Sequence, residues 1–173
     1  MKPHEEHRSH AQEKLRVRIV TVSTSRYAKK AAGEKFDDVG GDTAQAEILA
    51  AGHTVASRSL VSDDALMMRL EVKGFLDSHD DLLLLTGGTG VSSRDITVET
   101  VRPFFQKELD GFGELFRRLS YDEVGTAGVL SRATLGVAKG KLIMCLPGSP
   151  GAVKTALKAT GGELSHIAHI AKS

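Results

Sequence analysis

The chain has 173 residues, of which 40% are hydrophobic and 26% charged, and its formal net charge is +1. These values are typical of one folded domain and exclude a wholly disordered chain. The near balance of charges argues against a broad nucleic-acid or membrane-binding surface, since both need a sustained basic patch. No apolar run approaches the roughly 20 residues of a membrane span. The first residues lack the apolar block of a secretory signal, so we expect a cytoplasmic protein.

The hydrophobic pattern divides the chain into a flexible polar tail at residues 1–14 and a single domain at residues 15–173. Runs of β-branched and apolar residues predict strands at residues 15–22, 53–61, 82–85, 133–138 and 142–146. Helical spacing and end signals predict helices at residues 42–51, around 66–76, and at 97–105, 113–124 and 150–159. Ser62, followed by Asp63 and Asp64, is the expected cap of the second helix.

The alternation of strands and helices is typical of a parallel sheet covered by helices. The four leucines at residues 82–85 are too few for a helix and predict a strand buried on both faces. We therefore predict an α/β fold with three layers, α/β/α, around a mostly parallel central sheet.

Ligands of such sheets bind outside the carboxyl ends of the strands. Three connections leave strands in that direction, at residues 23–41, 86–90 and 147–150. The second reads Thr-Gly-Gly-Thr-Gly, and its glycines let backbone amides approach an anion closely. It has neither the P-loop ending nor the dinucleotide-binding spacing, and a tight turn after the strand is the alternative interpretation.

Acidic residues stand beside these connections. Asp95 follows Arg94 just after the glycine-rich run, where a carboxylate suits Mg²⁺ and a guanidinium suits a second anion. The alternative is that Asp95 caps the next helix. Asp63 and Asp64 pose the same choice, with stabilisation of the helix dipole as the alternative. The residues alone therefore predict an anion-binding α/β domain that can use Mg²⁺.

Four motifs in series carry more information than spacing alone. They read Thr-Gly-Gly-Thr-Gly at residues 86–90, Arg-Asp-Ile-Thr-Val-Glu at 94–99, Gly-Phe-Gly-Glu-Leu-Phe-Arg at 111–117 and Leu-Pro-Gly-Ser-Pro at 146–150. In order and spacing they resemble the MogA/MoaB family of molybdenum-cofactor biosynthesis proteins. Residues 118–126 and 131–133 resemble the MoaB branch in particular.

The resemblance implies a doubly wound molybdopterin-binding domain that assembles as a homo-trimer or, in the MoaB branch, often as a homo-hexamer. It also implies molybdopterin adenylyltransferase activity, in which the terminal phosphate of molybdopterin attacks the α-phosphorus of Mg-ATP and pyrophosphate is released. A partner enzyme of the MoeA type then inserts molybdate or tungstate. Neither nucleic acid nor a membrane is an expected partner.

The resemblance also implies roles for individual residues. The acidic pair of the family falls on Asp63 and Asp95, which are expected to hold Mg²⁺ or to shape the charge around the transferring phosphorus. The residues expected to bind pterin, phosphate or nucleotide are Ser23, Asp38, Gly41, Thr86, Gly87, Gly88, Thr89, Gly90, Arg94, Pro147, Gly148 and Ser149. Glu114 and Arg117 match the third motif and belong either to the pocket or to a subunit interface.

One departure from the family pattern concerns the first loop. It reads Ser-Thr-Ser-Arg at residues 23–26, where MogA-type members have Ser-x-Ser-Asp-Arg, so the acidic residue is absent or displaced. The chain keeps Arg94, Asp95 and Asp63, which favours an active enzyme. The alternatives are a carrier that binds molybdopterin without catalysis and a nucleotide-dependent enzyme that acts on another phosphorylated substrate.

Overall fold

The computed structural model describes residues 14–160 and 162–173, so the predicted tail lies outside the described residues except for Lys14. The described strands are Arg16–Val22 (β1), Thr54–Val61 (β2), Leu82–Thr86 (β3), Lys107–Glu108 (β4), Thr134–Ala138 (β5) and Lys141–Leu146 (β6). The described α-helices are Thr24–Ala31 (α1), Val39–Ala50 (α2), Ala65–Leu76 (α3), Thr97–Val101 (α4), Asp110–Val124 (α5), Pro150–Thr160 (α6) and Leu164–Lys172 (α7). Short 3₁₀ helices lie at Arg102–Phe104 and Gly125–Leu130.

These strands form one sheet in the order β2-β1-β3-β6-β5-β4. β1 pairs in parallel with β2 and β3, and β3 pairs in parallel with β6. β5 runs antiparallel to both of its neighbours, β4 and β6. The prediction of a mostly parallel sheet is therefore confirmed.

Helices cover both faces of the sheet and complete the three predicted layers. Leu82 and Leu84 point to the face that α2, α5, α6 and α7 cover, whereas Leu83 and Leu85 point to the face that α3 and α4 cover. This division follows from the two-residue period of a strand. All five residues of β3 are buried, which confirms the prediction for the leucine run. No helix in the described part of the chain has the length and apolarity to cross a membrane.

The first connection contains a helix that the sequence pattern does not predict. α1 follows β1 directly, and the Ser23 hydroxyl caps it by accepting a hydrogen bond from the main-chain N of Arg26. None of the α1 residues is buried. The helix therefore lacks the apolar stripe on which a helix prediction depends.

Several element ends also differ from the sequence prediction. α2 begins at Val39 rather than at residue 42, because Asp38 caps it ahead of two glycines that are weak helix formers. α4 ends at Val101 rather than at residue 105, because Pro103 cannot continue the helical hydrogen bonds. α5 begins at Asp110, three residues before the predicted start. The sequence prediction lacks β4, which is two residues long, and α7.

The strand order reverses at β1, since β2 lies on one side of it and β3 on the other. In doubly wound sheets, the crevice at the carboxyl ends of such diverging strands is where ligands bind. The loops that follow β1 and β3 border this crevice, and the loop after β6 lies next to them.

A buried ion pair lies at the opposite edge of the sheet, just before β3. The Asp80 side chain is 6% exposed, and its Oδ2 accepts hydrogen bonds from Nη2 of Arg18 at 2.9 Å and from the Ser78 hydroxyl at 3.2 Å. Burial by itself would raise the pKa of Asp80, but these hydrogen bonds and the charges of Arg18 and Arg16 together outweigh it and hold that pKa below its ordinary value. The pair joins β1 to the start of β3.

Replacing Asp80 by Asn leaves the Arg18 guanidinium, which is 21% exposed, without its carboxylate. We expect the free energy of unfolding at neutral pH to fall by about 2 kcal/mol, because an uncompensated charge stays partly buried. Since the folded-state pKa of Asp80 is lowered, its contribution is present above the unfolded pKa of about 3.9 and is lost as the pH falls through the folded value. Urea unfolding of both proteins as a function of pH measures this difference.

The control is Asp77→Asn, because the Asp77 side chain is 77% exposed and lies 3.9 Å from Nζ of Lys139. An exposed pair of this kind contributes less than about 1 kcal/mol, so the control is expected to unfold like the wild type. A difference between wild type and Asp80→Asn that persists unchanged at low pH would contradict this account.

Candidate functional site

The loops after β3 and β6 are joined at the carboxyl edge of the sheet. The main-chain N of Gly87 donates to the carbonyl of Leu146 at 2.9 Å, and the Thr86 hydroxyl donates to the carbonyl of Pro147 at 3.1 Å. The buried Thr97 hydroxyl donates to the carbonyl of Gly87 at 2.8 Å. These bonds hold the glycine-rich loop against the start of α4 and against the turn before α6.

The glycine-rich loop needs glycine at residues 87 and 88. Gly87 and Gly88 have φ angles of +109° and +62°, in the region that side chains disfavour. A Cβ atom at Gly87 would overlap the carbonyl oxygen of Val22 at the end of β1. A Cβ at Gly88 would lie 2.5 Å from the Thr97 hydroxyl and 2.6 Å from Oδ1 of Asp63. The loop therefore passes closely over the strand end and beside a carboxylate.

Two open cavities adjoin this loop. The first has a volume of about 320 Å³ and is lined by Val22, Ser23, Thr24, Ser25, Asp63, Gly88, Ser92, Arg94 and Asp95. The second has a volume of about 430 Å³ and is lined by Val22, Arg26, Gly87, Gly88, Thr89, Gly90, Asp95, Leu130, Ser131, Pro147, Gly148, Ser149 and Ala152. Val22, Gly88 and Asp95 line both cavities. The site is therefore a two-part cleft whose halves meet at the glycine-rich loop and one carboxylate.

Asp63 lies in the first cavity and does not cap α3. The cap is Asp64, whose Oδ1 accepts from the main-chain N of Met67 at 2.8 Å, so the expectation that Ser62 caps this helix is wrong. Oδ2 of Asp63 instead accepts hydrogen bonds from Thr24 at the start of α1. Because Asp64 supplies the cap, the Asp63 carboxylate is available to the cleft.

Asp95 is likewise not the cap of its helix. The residue before α4 is Ile96, and its side chain makes no capping hydrogen bond. Oδ2 of Asp95 accepts from the main-chain N of Ser92 at 3.0 Å, which closes the turn between the glycine-rich loop and α4. The exposed Arg94 side chain lines the first cavity beside it.

The acidic pair fits a magnesium ion that is bound together with a substrate. Among the described residues there is no group of three or more His, Cys, Asp or Glu side chains placed to hold a metal ion. Asp63 and Asp95 both line the first cavity. In nucleotide-dependent enzymes, Mg²⁺ is held by one or two carboxylates, water and substrate phosphates. These two residues are the ones that could hold it.

The turn after β6 contributes to the second cavity through Pro147, Gly148 and Ser149, which the sequence analysis assigns to nucleotide binding. Ser149 also starts α6, since its hydroxyl accepts from the main-chain N of Ala152 at 3.3 Å. This hydrogen bond attaches the turn at residues 147–149 to the start of α6.

Some of the predicted binding residues support the site instead of lining it. The Asp38 carboxylate caps α2 and accepts from the Thr21 hydroxyl at 2.7 Å and from Nη2 of Arg58 at 2.9 Å. A Cβ at Gly41 would overlap this carboxylate, so glycine is needed there for packing. Thr86 joins the two loops but lines neither cavity.

Glu114 and Arg117 lie away from the cleft. Both are exposed on α5, and neither lines either of the two cavities. Of the two locations that the sequence leaves open for them, their exposure favours a surface or subunit interface.

Arg132 is a site residue that the sequence analysis missed. Its Nη1 donates to the carbonyl of Gly90 at 2.9 Å, and its Nη2 pairs with the carboxylate of Glu99 on α4. Burial by itself would raise the pKa of Glu99, but the hydrogen bond from Arg132, a main-chain hydrogen bond and the charges of Arg132 and Arg102 together outweigh it and lower that pKa. Arg132 thus holds the end of the glycine-rich loop. Its only sequence signal is its place in the MoaB-like segment at residues 131–133.

A second missed cation is Arg26, which lines the second cavity. Its Nε donates to the carbonyl of Asp37 at 2.8 Å, which fixes the side chain between α1 and the chain leading to α2. Arg26 and Arg94 therefore place one cation in each half of the cleft. From the sequence, Arg26 is only the last residue of a first loop that differs from the MogA-type pattern. Its place in a helix is not predicted, because α1 has no apolar pattern.

Cys145 is not part of the site. It is fully buried in β6, and burial raises the pKa of its thiol, so the thiol stays protonated.

Comparison with known proteins shows which family the chain is similar to. Residues 18–166 match the family model described as a probable molybdopterin binding domain. A protein of Methanocaldococcus jannaschii named "Probable molybdopterin adenylyltransferase" is 41% identical over 154 residues, which cover 88% of this chain and 91% of that protein. A protein of Bacillus subtilis named "Molybdenum cofactor biosynthesis protein B" is 39% identical over 166 residues, 94% of each chain.

Among solved structures, the tungsten cofactor synthesizing protein MoaB from Pyrococcus furiosus superposes with a TM-score of 0.82. It is 38% identical, and the match covers 93% of this chain and 99% of that one. The fold, the cleft and the similarity to these proteins agree, and this chain belongs to the MogA/MoaB family of molybdenum cofactor biosynthesis proteins.

Proposed function

We propose that this chain catalyses the adenylylation of molybdopterin by Mg-ATP, with release of pyrophosphate, before the metal is inserted. The observation that carries the proposal is the two-part cleft, whose halves share Gly88 and Asp95. A transfer between two substrates needs both of them to meet at one point, and a shared carboxylate and glycine loop provide that point. The name of the Methanocaldococcus jannaschii relative supports the same reaction.

The reaction needs little covalent chemistry from the protein. An oxygen of the terminal phosphate of molybdopterin forms a bond to the α-phosphorus of ATP. The bond from this phosphorus to the bridging oxygen of pyrophosphate breaks, and pyrophosphate leaves with the electron pair. The attacking phosphate is largely ionised at neutral pH, so no general base is required. Positioning and neutralisation of charge then supply most of the rate.

The residues of the cleft match these tasks. Gly88, Thr89 and Gly90 of the glycine-rich loop line the second cavity, and we expect their main-chain N–H groups to donate to phosphate oxygens. Arg26 and Arg94 place positive charge in the two halves of the cleft. Asp63 and Asp95 would hold Mg²⁺, which supplies charge neutralisation and orientation of the phosphates when it is bound.

A carrier that binds molybdopterin without catalysis is the second candidate. The observation that favours it is that Asp63 and Asp95 both already accept hydrogen bonds within the chain, from Thr24 and Ser92. In a carrier these carboxylates would serve only to order the two loops. The two candidates differ in whether ATP is consumed.

We also propose assembly into a homo-trimer or homo-hexamer. Exposed apolar side chains follow α5 and the 3₁₀ helix after it, namely Leu115, Tyr121, Val124, Val129 and Leu130. Large exposed apolar side chains on neighbouring elements are typical of a protein interface, and Leu130 also lines the second cavity. The family resemblance leads us to propose a cytoplasmic location and a MoeA-type enzyme as the partner that takes up the product.

Changing Asp95 to Asn, or Asp63 to Asn, preserves the size of the side chain but removes the charge. We expect kcat for adenylyl-molybdopterin formation to fall at least about 100-fold in each variant, because charge at the transferring phosphate is no longer balanced. The measurement is pyrophosphate release from Mg-ATP that depends on molybdopterin, with the adenylylated pterin identified in the product mixture.

Asp77→Asn is the matched control, since Asp77 is exposed at the opposite edge of the sheet, and it is expected to keep full activity. Unchanged turnover in Asp95→Asn and Asp63→Asn would overturn the proposed roles. Tight binding of molybdopterin by the wild type without ATP binding or product would identify a carrier instead.

The close packing of the glycine-rich loop leads to an independent prediction. Gly88→Ala places a Cβ against Asp63 and Thr97, whereas Gly33→Ala introduces a side chain at a similar positive φ of +72° with nothing within 4 Å. Both variants carry a similar backbone cost of about 1 kcal/mol. Only Gly88→Ala is expected to lose activity, by about 100-fold, because the loop must shift.

The two variants are compared by thermal unfolding and by steady-state kinetics. Equal activity in Gly88→Ala and Gly33→Ala would show that the glycine-rich loop does not contact the substrates.

A further inference from the structure

We infer that Thr24 is a positioning residue that orients the Asp63 carboxylate toward the glycine-rich loop. The inference rests on the proposed function, and it assigns a task to a residue of the first loop that differs from the MogA-type pattern.

The contact between Thr24 and Asp63 consists of three hydrogen bonds. Oδ2 of Asp63 accepts from the main-chain N of Thr24 at 2.9 Å and from its hydroxyl at 2.8 Å. The main-chain N of Asp63 donates back to the Thr24 hydroxyl oxygen at 3.2 Å. The Ser62 hydroxyl lies 3.0 Å from the same oxygen and can donate to it, since the Thr24 proton is directed to Asp63.

Main-chain contacts fix both Thr24 and Asp63 in place. The main-chain N of Ser23 donates to the carbonyl of Val61 at 2.9 Å, so the start of α1 is attached to the end of β2. Thr24 is the first residue of α1, and the amide at a helix start favours a negative charge. The position of Thr24 relative to Asp63 is therefore set by backbone contacts of both strands that lead into the cleft.

The two oxygens of the Asp63 carboxylate therefore have different surroundings. Oδ2 is bound to Thr24, while Oδ1 lies on the side of Gly88, where a Cβ atom would be 2.6 Å away. Rotation of the carboxylate would break both bonds to Oδ2. Thr24 thus presents Oδ1 to the cavity in one orientation, as the residues behind a metal ligand commonly do.

The hydroxyl can be tested separately from the backbone bond. Thr24→Val keeps the shape and the main-chain N–H but removes the hydroxyl, whereas Thr24→Ser keeps the hydroxyl. We expect Thr24→Val to lower kcat by about 10- to 100-fold, the usual effect of losing a residue that orients a metal ligand. The KM for molybdopterin should change little, and Thr24→Ser should recover most of the activity. Thr43→Val is the control, because the Thr43 hydroxyl donates only to the carbonyl of Val39 on α2.

A double-mutant cycle separates positioning from a general effect on the fold. If Thr24 acts through Asp63, then Thr24→Val in the Asp63→Asn background should cause no further loss of kcat. Additive losses would overturn the inference, and so would a Thr24→Val enzyme with the kinetics of the wild type. Thermal unfolding of each variant checks that the folded state persists.

A direct binding measurement keeps the test independent of turnover. Mn²⁺ is titrated into the full-length protein together with an ATP analogue that cannot be cleaved at the α-phosphorus, and its bound fraction is read by electron paramagnetic resonance against the same analogue without protein. We expect Thr24→Val to weaken Mn²⁺ binding by about 10-fold or more, with Thr24→Ser and Thr43→Val close to the wild type.

The outcomes distinguish the two proposals. A wild type that binds Mn²⁺ but forms no adenylylated product rejects the proposed function, while a weakened Thr24→Val still supports the positioning role. Equal Mn²⁺ affinity in Thr24→Val and wild type overturns the positioning role while the transferase reaction stands. A wild type that neither binds Mn²⁺ nor forms product overturns both.

Discussion

The close contact between the end of β1 and the loop after β3 is the constraint on which the site depends. A side chain at Gly87 would overlap the carbonyl oxygen of Val22, and its φ of +109° disfavours other residues. Because the loop can pass over the strand end, Gly88 comes to lie against Asp63, and Gly90 lies against Asp95. Two carboxylates from different parts of the chain therefore both adjoin this loop and line the first cavity.

The caps of α2 and α3 are separate from the carboxylates that line the cavities. Asp64 caps α3, and Asp38 caps α2, so neither task falls on the carboxylates that line the cavities. Asp63 and Asp95 accept hydrogen bonds instead from Thr24 at the start of α1 and from Ser92 in the loop before α4. The buried ion pair of Asp80 lies at the opposite edge of the sheet. Substitutions at the cleft and at this pair should therefore affect activity and stability separately.

The elements that the sequence predicts well are those with a strong apolar period. The leucine run of β3 and the alternating residues of β1 are buried as expected, because each strand must fill two layers of core. α1 is missed because it buries no side chain, and β4 is missed because two residues form no pattern. The glycine-rich run and the two acids are found from motifs, whereas Asp38 and Gly41 match a motif yet pack outside the cavities.

The sequence by itself determines the fold class, the family and the position of the cleft at the carboxyl ends of the strands, since these follow from hydrophobic period and local motifs. Only the tertiary structure decides which side chains meet there. Thr24 and Asp63 are 39 residues apart, and Arg132 and Gly90 are 42 apart. No local pattern encodes such pairs, because the first contact needs β1 beside β2 and the second needs β3 and β5 in the same sheet.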